Sequence, residues 1–211
     1  MSLISFDEEI KKTYSKKYLI GVDEAGRGPL AGPVVASACV YFSTSCDFVN
    51  EINDSKKLSP LKREELFKKI ITSSSLKLSF AYSSHHDIDK LNILNATLLA
   101  MKKAVIKLIE YTRINPLDVV VIVDGNKKID GLDILQVPVV KGDLCSLSIA
   151  TASIFAKVTR DRWMDVLDML YPNYQFRKHK GYPTKLHRDL IKRYGLSPYH
   201  RRSFSPCLIY E

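Results

Sequence analysis

Two apolar runs, Tyr18-Leu19-Ile20-Gly21-Val22 and Val119-Val120-Val121-Ile122-Val123, show no alternation of polar and apolar positions, the pattern of strands buried on both faces. Residues 18–23 and 118–123 are therefore expected as core strands, and each run ends on acid: Asp23-Glu24 in one case, Asp124-Gly125-Asn126 in the other. The stretch from Pro33 to Phe42 is rich in β-branched and aromatic residues, and Leu76 to Tyr82 alternates apolar with small or polar positions. With the first run they predict an antiparallel meander. Ile134 to Val140 reads as a fifth strand, interrupted at Pro138. Helical spacing begins at Ser59-Pro60, an N-cap and a first-turn proline with Glu64 and Glu65 soon after, and runs to about Ile71. It returns from Asp87 to about Tyr111 and from Leu147 to Leu170. A meander followed by alternating strands and helices predicts an α/β fold, a mixed five-stranded sheet flanked by helices.

Composition narrows the class. With 211 residues, 45% apolar and 26% charged, the chain has room for one domain with a sizeable core. That core is expected over about 18–170, with a basic helical C-terminal extension over about 171–211, since no repeat, low-complexity tract or linker divides the sequence. The charged segment Met1 to Lys12 lacks the apolar stretch of a signal peptide, and no run of about 18 uncharged apolar residues occurs, which argues for a cytoplasmic protein and against a membrane one. Cys39, Cys46, Cys145 and Cys207 show no Cys-x-x-Cys spacing and read as reduced core thiols. The net charge of +9 is concentrated at the C-terminal end, where residues 151–211 carry twelve basic side chains against five acidic. Between Arg177 and Arg202 nine basic residues face the single acid Asp189, with Tyr182, Tyr194 and Tyr199 interleaved. This is the composition of a surface that follows a phosphate backbone, or of a plain solvated face.

If the two acid-tipped strands are parallel neighbours, their carboxylates converge at the edge where open α/β sheets bind ligands. Lys141-Gly142-Asp143 brings a further acid from the end of the fifth strand. Asp23, Glu24, Asp124 and Asp143 in one pocket would repel one another and hold protons unless cations neutralise them, and hard oxygen donors select Mg²⁺ or Mn²⁺. The competing reading is structural: Asp-Gly is a common turn, and Asp143 could simply flank a helix. In Gly26-Arg27-Gly28 the glycines allow close backbone approach, and Arg27 offers a fork suited to phosphate. The spacing of Gly26, Gly28 and Gly32 superficially matches a dinucleotide fingerprint, but that motif must open a helix. Pro29, Pro33 and the strand-like residues after them argue against it.

The stretch from Asp23 through Glu24, Gly26-Arg27-Gly28-Pro29 and Gly32-Pro33 to Val34 resembles the signature of type 2 ribonuclease H, the ribonuclease HII family. Further blocks match in family order: Asp54-Ser55-Lys56-Lys57-Leu58, Asn92 to Thr97, Val123-Asp124-Gly125, Lys141-Gly142-Asp143, Ser153 to Asp161 and His179 to Thr184. Together they cover residues 18 to about 205. The resemblance implies a ribonuclease H-like fold with an Asp-Glu-Asp-Asp metal centre formed by Asp23, Glu24, Asp124 and Asp143. It implies endonucleolytic cutting of RNA in RNA/DNA hybrids and nicking at ribonucleotides embedded in duplex DNA, with two Mg²⁺ or Mn²⁺ ions during catalysis. Asp23 and Asp124 are then expected as shared ligands, with Glu24 and Asp143 completing one ion each. The expected ends are a 3′-hydroxyl and a 5′-phosphate.

By the same resemblance Gly26, Arg27 and Gly28 read the ribose 2′-hydroxyl, and Tyr182 senses the sugar of the adjoining nucleotide. Lys180, Lys185 and Arg188 are expected to hold the duplex backbone, with Lys192 and Arg193 beside them and Thr184 capping their helix. His179 and His187 are expected as phosphate contacts or helix surface. Ala150-Thr151-Ala152 departs from the small-residue run usual before Ser153, a change of helix packing. The sibling type 3 enzymes carry an added amino-terminal domain, for which the roughly 17 residues before the first strand leave no room, so type 2 is expected. The expected partners are an RNA/DNA hybrid and a ribonucleotide-containing DNA duplex, bound by a monomer. The alternative class is a non-catalytic nucleic-acid-binding protein whose acids are structural.

Overall fold

The central strand is the first apolar run. The computed structural model describes residues 2–52 and 58–209, so Asp54-Ser55-Lys56-Lys57 of the second matched block lies outside the described residues. β1 (Tyr18–Ala25) pairs antiparallel with β2 (Val34–Tyr41), which pairs antiparallel with β3 (Leu76–Ser83). On its other side β1 runs parallel to β4 (Val119–Asp124), and β4 parallel to β5 (Leu135–Val139). The order β3-β2-β1-β4-β5 is the expected mixed five-stranded sheet.

Alternation along the central strands divides the core into two layers. Ile20, Val22, Val121 and Val123 pack on one face against Ala100, Met101, Ala104, Val105 and Leu108 of α4 (Ile93–Thr112). Leu19, Val120 and Ile122 pack on the other face with Ile149 of α5 (Leu147–Leu170). Gly21 faces α5 as well, where a Cβ would stand 2.4 Å from the backbone nitrogen of Ile149. Glycine is required for the start of α5 to press this closely on β1. α2 (Pro60–Thr72) adds Leu66 and Ile70 to the same side, capped by Ser59 as expected.

Three elements differ from expectation. The helix expected over 87–111 is two helices, α3 (His85–Leu91) and α4, separated by Asn92 at φ +68°. Asn92 ends α3 and caps α4, its side-chain oxygen accepting from the Asn95 amide at 3.1 Å. Residues 3–13 form a helix, α1 (Leu3–Thr13), started by Ser2. It was masked in the sequence because its buried face carries Asp7, whose carboxylate accepts from the Ser148 amide at 2.9 Å and hydroxyl at 2.7 Å, at the start of α5. β1 also extends past the expected 18–23 to Ala25, so Glu24 as well as Asp23 lies within the strand, opposite Ala36 and Ser37.

After α5 the chain folds back over the sheet edge through α6 (Phe176–His179), α7 (Lys185–Tyr194) and α8 (Ser205–Leu208). It is stitched there by the Arg201 amide donating to Leu30 and by a bridge between Ala31 and His200. The four cysteines are free thiols. Among the described residues no helix is long and apolar enough to cross a membrane.

Candidate active site

The parallel register sets Val22 beside Val123, so the next residues, Asp23 and Asp124, leave the same end of the sheet. Asp23 is 5% exposed and its carboxyl is pushed well above the usual carboxylate range, first by burial and then by the charges of Glu24 and Asp124. Its partners are Ser153 on α5 and the Glu24 amide, at 2.7 Å. Asp124 Oδ1 accepts from the Gly142 amide at 2.7 Å, tying the end of β4 to the one-turn helix Gly142–Leu144. That turn holds Asp143, also 5% exposed. The four acids predicted from sequence therefore come to one edge of the sheet.

They do not all sit on one side of it. Strand alternation turns Asp23 toward α5 and Glu24 toward α4, where Glu24, Arg27, Leu94, Thr97, Met101, Asp124 and Lys127 line a pocket of about 240 Å³. Arg27 reaches back to Glu24, Nη1 to Oε1 at 3.7 Å. Among the described residues no three His, Cys, Asp or Glu side chains already converge closely enough to hold a metal. A buried acid raised by two neighbouring acids is nonetheless a site that a divalent cation would relieve, and the donors are the hard oxygens that Mg²⁺ and Mn²⁺ prefer. The residues present fit the ion.

Gly26, Arg27 and Gly28 open a loop that runs to Pro33, between β1 and β2, with no helix following it. The dinucleotide alternative is thereby excluded. Gly26 has φ +102°, and a Cβ there would lie 2.0 Å from Arg160 Nε. Tyr182, 41% exposed, lies against this loop: a Cβ on Gly28 would be 3.7 Å from its ring. The loop and the His179–Thr184 turn are also joined directly, the Leu30 amide donating to the Gly181 carbonyl at 2.7 Å. Two residues predicted from separate parts of the sequence thus share one surface.

Two buried arginines hold that surface, and sequence reasoning gave neither a role. Arg160, on α5 and 1% exposed, donates from Nε to the Pro33 carbonyl (3.0 Å), from Nη2 to Ala31 (3.2 Å) and from Nη1 to Lys180 (3.0 Å). Arg201, fully buried, donates to the carbonyls of Gly32 (3.0 Å), Arg27 (2.9 Å) and Gly26 (2.6 Å). The signal for Arg160 was present: it occupies the buried helical stripe Ala156, Arg160, Met164, Leu167, where a charge demands partners.

The basic segment is less available to an anion than its composition suggests. Lys180 is ion-paired with Asp165 and donates to the Asp161 carbonyl at 3.2 Å, so it braces the turn from beneath. Arg177 faces Asp165 and Asp168 at 3.7 Å. These acids belong to α5, outside the window in which the sequence showed one acid. Lys185 and Arg188 are exposed on α7, with Thr184 capping the helix as expected. His179 and His187 are neither phosphate contacts nor helix surface. They stack at 4.1 Å between ring centroids in a buried cluster with His200. The Ser197 amide donates to His200 Nδ1 at 2.8 Å, so His200 Nε2–H donates to His187 Nε2 at 3.1 Å and His187 Nδ1–H to the Tyr182 carbonyl at 3.0 Å.

Comparison with known proteins gives a consistent result. The family model described as Ribonuclease HII matches residues 20–207. Among curated proteins, Ribonuclease HII of Clostridioides difficile is 49% identical over 196 residues, covering 90% of this chain and 72% of that one. Ribonuclease HII of Fusobacterium nucleatum is 51% identical over 189 residues, covering 89% and 86%. Among solved structures, ribonuclease H2 from Pyrococcus horikoshii OT3 superposes with a TM-score of 0.72 at 28% identity, covering 92% of this chain and 97% of that one. A ribonuclease HIII described as Bst, in complex with Mn²⁺, shares the fold with a TM-score of 0.71 at 16% identity, covering 90% and 68%.

Proposed function

The chain belongs to the ribonuclease HII family, metal-dependent hydrolases that cut RNA within RNA/DNA hybrids, and on that basis we propose that it also nicks duplex DNA at embedded ribonucleotides. The observation that carries the reading is Asp23, buried beside Glu24 and Asp124 at the sheet edge, three residues before the loop against which Tyr182 lies. Asp23, Glu24, Asp124 and Asp143 would hold the divalent cations, Mg²⁺ or Mn²⁺, two during catalysis. When bound, such ions lower the pKa of an attacking water and stabilise the leaving 3′ oxygen.

The chain's own residues do the rest. Backbone groups of Gly26 and Gly28, with Arg27, test for a 2′-hydroxyl, the one group that is both donor and acceptor on a ribose and missing from deoxyribose. The Tyr182 ring, exposed beside Gly28, offers a flat face to the sugar of the next nucleotide. Lys185 and Arg188 contact the phosphate backbone from α7, positioning the duplex without reading its sequence. Lys180 contributes through the turn it braces rather than by touching phosphate. Water, not the ribose, is the nucleophile, which leaves a 3′-hydroxyl and a 5′-phosphate.

A labelled DNA duplex with one ribonucleotide tests this. The expected result is a single metal-dependent nick with those ends, abolished by EDTA and by replacing the one ribose with deoxyribose. Cutting that persists on the all-DNA duplex, or in EDTA, would overturn it.

A further inference from the structure

Arg160 stands out because it is buried and charged, and its guanidinium donates to three carbonyls taken from two different loops. Two of them, Ala31 and Pro33, close the Gly26–Pro33 loop. The third, Lys180, belongs to the turn that carries Tyr182, and the same guanidinium carbon lies 6.0 Å from the centroid of the Tyr182 ring. The Arg160 side chain also fills the space that a Cβ on Gly26 would need. Arg201, by contrast, bonds only Gly26, Arg27 and Gly32, all on the first loop.

We propose that Arg160 is a positioning residue that fixes the spacing between the 2′-hydroxyl-reading loop and Tyr182, and so sets preference for an RNA-to-DNA junction over continuous RNA. The assignment rests on the function proposed above. A planar fork with donors in fixed directions can hold two loops at a set spacing, whereas the three donors of an ammonium radiate from one atom on a flexible stem and fix that spacing less firmly. The protein needs no contact between Arg160 and substrate for this. A junction must present its 2′-hydroxyl to one loop and its deoxyribose to the other in a single pose, so displacement of one loop relative to the other penalises junctions most. On an all-RNA strand any register supplies a 2′-hydroxyl, and the penalty is smaller.

The test compares Arg160→Lys and Arg160→Gln with wild type on two substrates, a duplex with one ribonucleotide and an all-RNA/DNA hybrid. The ratio of kcat/KM values is expected to fall by more than about fivefold, since small misplacements at a reacting centre carry penalties of that order or larger. A purely structural role would lower both activities together, and a ratio that falls less than this overturns the proposal. Wild-type protein that cuts hybrid but not the single-ribonucleotide duplex would instead remove the junction reading itself. Should both Arg160 variants fail to fold, side-chain NMR of wild type decides. The Arg160 Nε–H signal is expected to be slow to exchange and to shift with the Tyr182 amide when the single-ribonucleotide duplex binds, and a signal unmoved by that duplex would count against the role.

Discussion

Burying a carboxyl at position 23, within the central strand, costs stability unless a cation or a proton neutralises it, and the cost is enlarged by Glu24 and Asp124. Asp124→Asn is therefore expected to leave the fold as stable as wild type or more so, while hybrid cleavage falls by about 10³-fold or more and hybrid binding is retained. Paired turnover and gel-shift measurements separate the two effects. Tyr182→Ala removes an exposed ring and leaves its backbone, so it should lower cutting of single-ribonucleotide duplexes by about tenfold more than cutting of all-RNA hybrids. Equal losses on both substrates would argue against sugar reading. Gly26→Ala forces a side chain onto Arg160 at a left-handed backbone position, and a drop in unfolding free energy of about 2 kcal/mol or more is expected in denaturant titration.

Elements explain why some of this was legible and some was not. β1 and β4 were readable because continuous apolar runs mark strands buried on both faces, and the acids behind them needed only the parallel register to meet. The four-acid edge follows from that register and from the Asp124–Gly142 bond. What the runs could not convey is that β1 continues to Ala25, which sets Asp23 and Glu24 on opposite faces. α1 was hidden by Asp7, a charge on a buried face, whose partner Ser148 is 141 positions away. The break at Asn92 was hidden because a capping asparagine inside an otherwise helical pattern looks like one unfavourable residue. Arg201 was counted with the basic surface and Arg160 was given no role, because the partners of both are backbone carbonyls, which the sequence does not mark. Since Asp7 anchors the start of α5, Asp7→Ala should lower stability by about 1–2 kcal/mol through the lost bonds to Ser148, measured by thermal or denaturant unfolding.

Across the molecule, the basic C-terminal segment folds back onto the sheet edge and is tied to it through buried polar groups rather than through an apolar core alone. Among them the neutral histidines impose a pH dependence. Burial lowers His187 to about 3 and His200 to about 4, with His179 shifted the same way. In the unfolded chain these imidazoles take up protons below about pH 6.5. Between that point and the folded values the unfolded state binds more protons, so their contribution is complete above pH 6.5 and is lost as pH falls toward 4 and then 3. Each can contribute a slope of up to about 1.4 kcal/mol per pH unit in that window. Denaturant unfolding at pH 7 and pH 5 should show a marked loss at the lower value, and the loss should shrink in His187→Gln. Protonation of His187 at Nε2 keeps its Nδ1–H bond to the Tyr182 carbonyl but removes the acceptor of His200 Nε2–H, so the buried histidine chain loses a link as the pH falls.

The central claim is that carboxylates gathered at one sheet edge are made compatible by divalent cations. The most direct measurement is calorimetric titration of Mn²⁺ into wild-type protein and into an Asp23→Asn/Asp124→Asn double variant of verified fold. The account predicts saturable heat from wild type that disappears in the variant. Equal titration curves for the two proteins would contradict it.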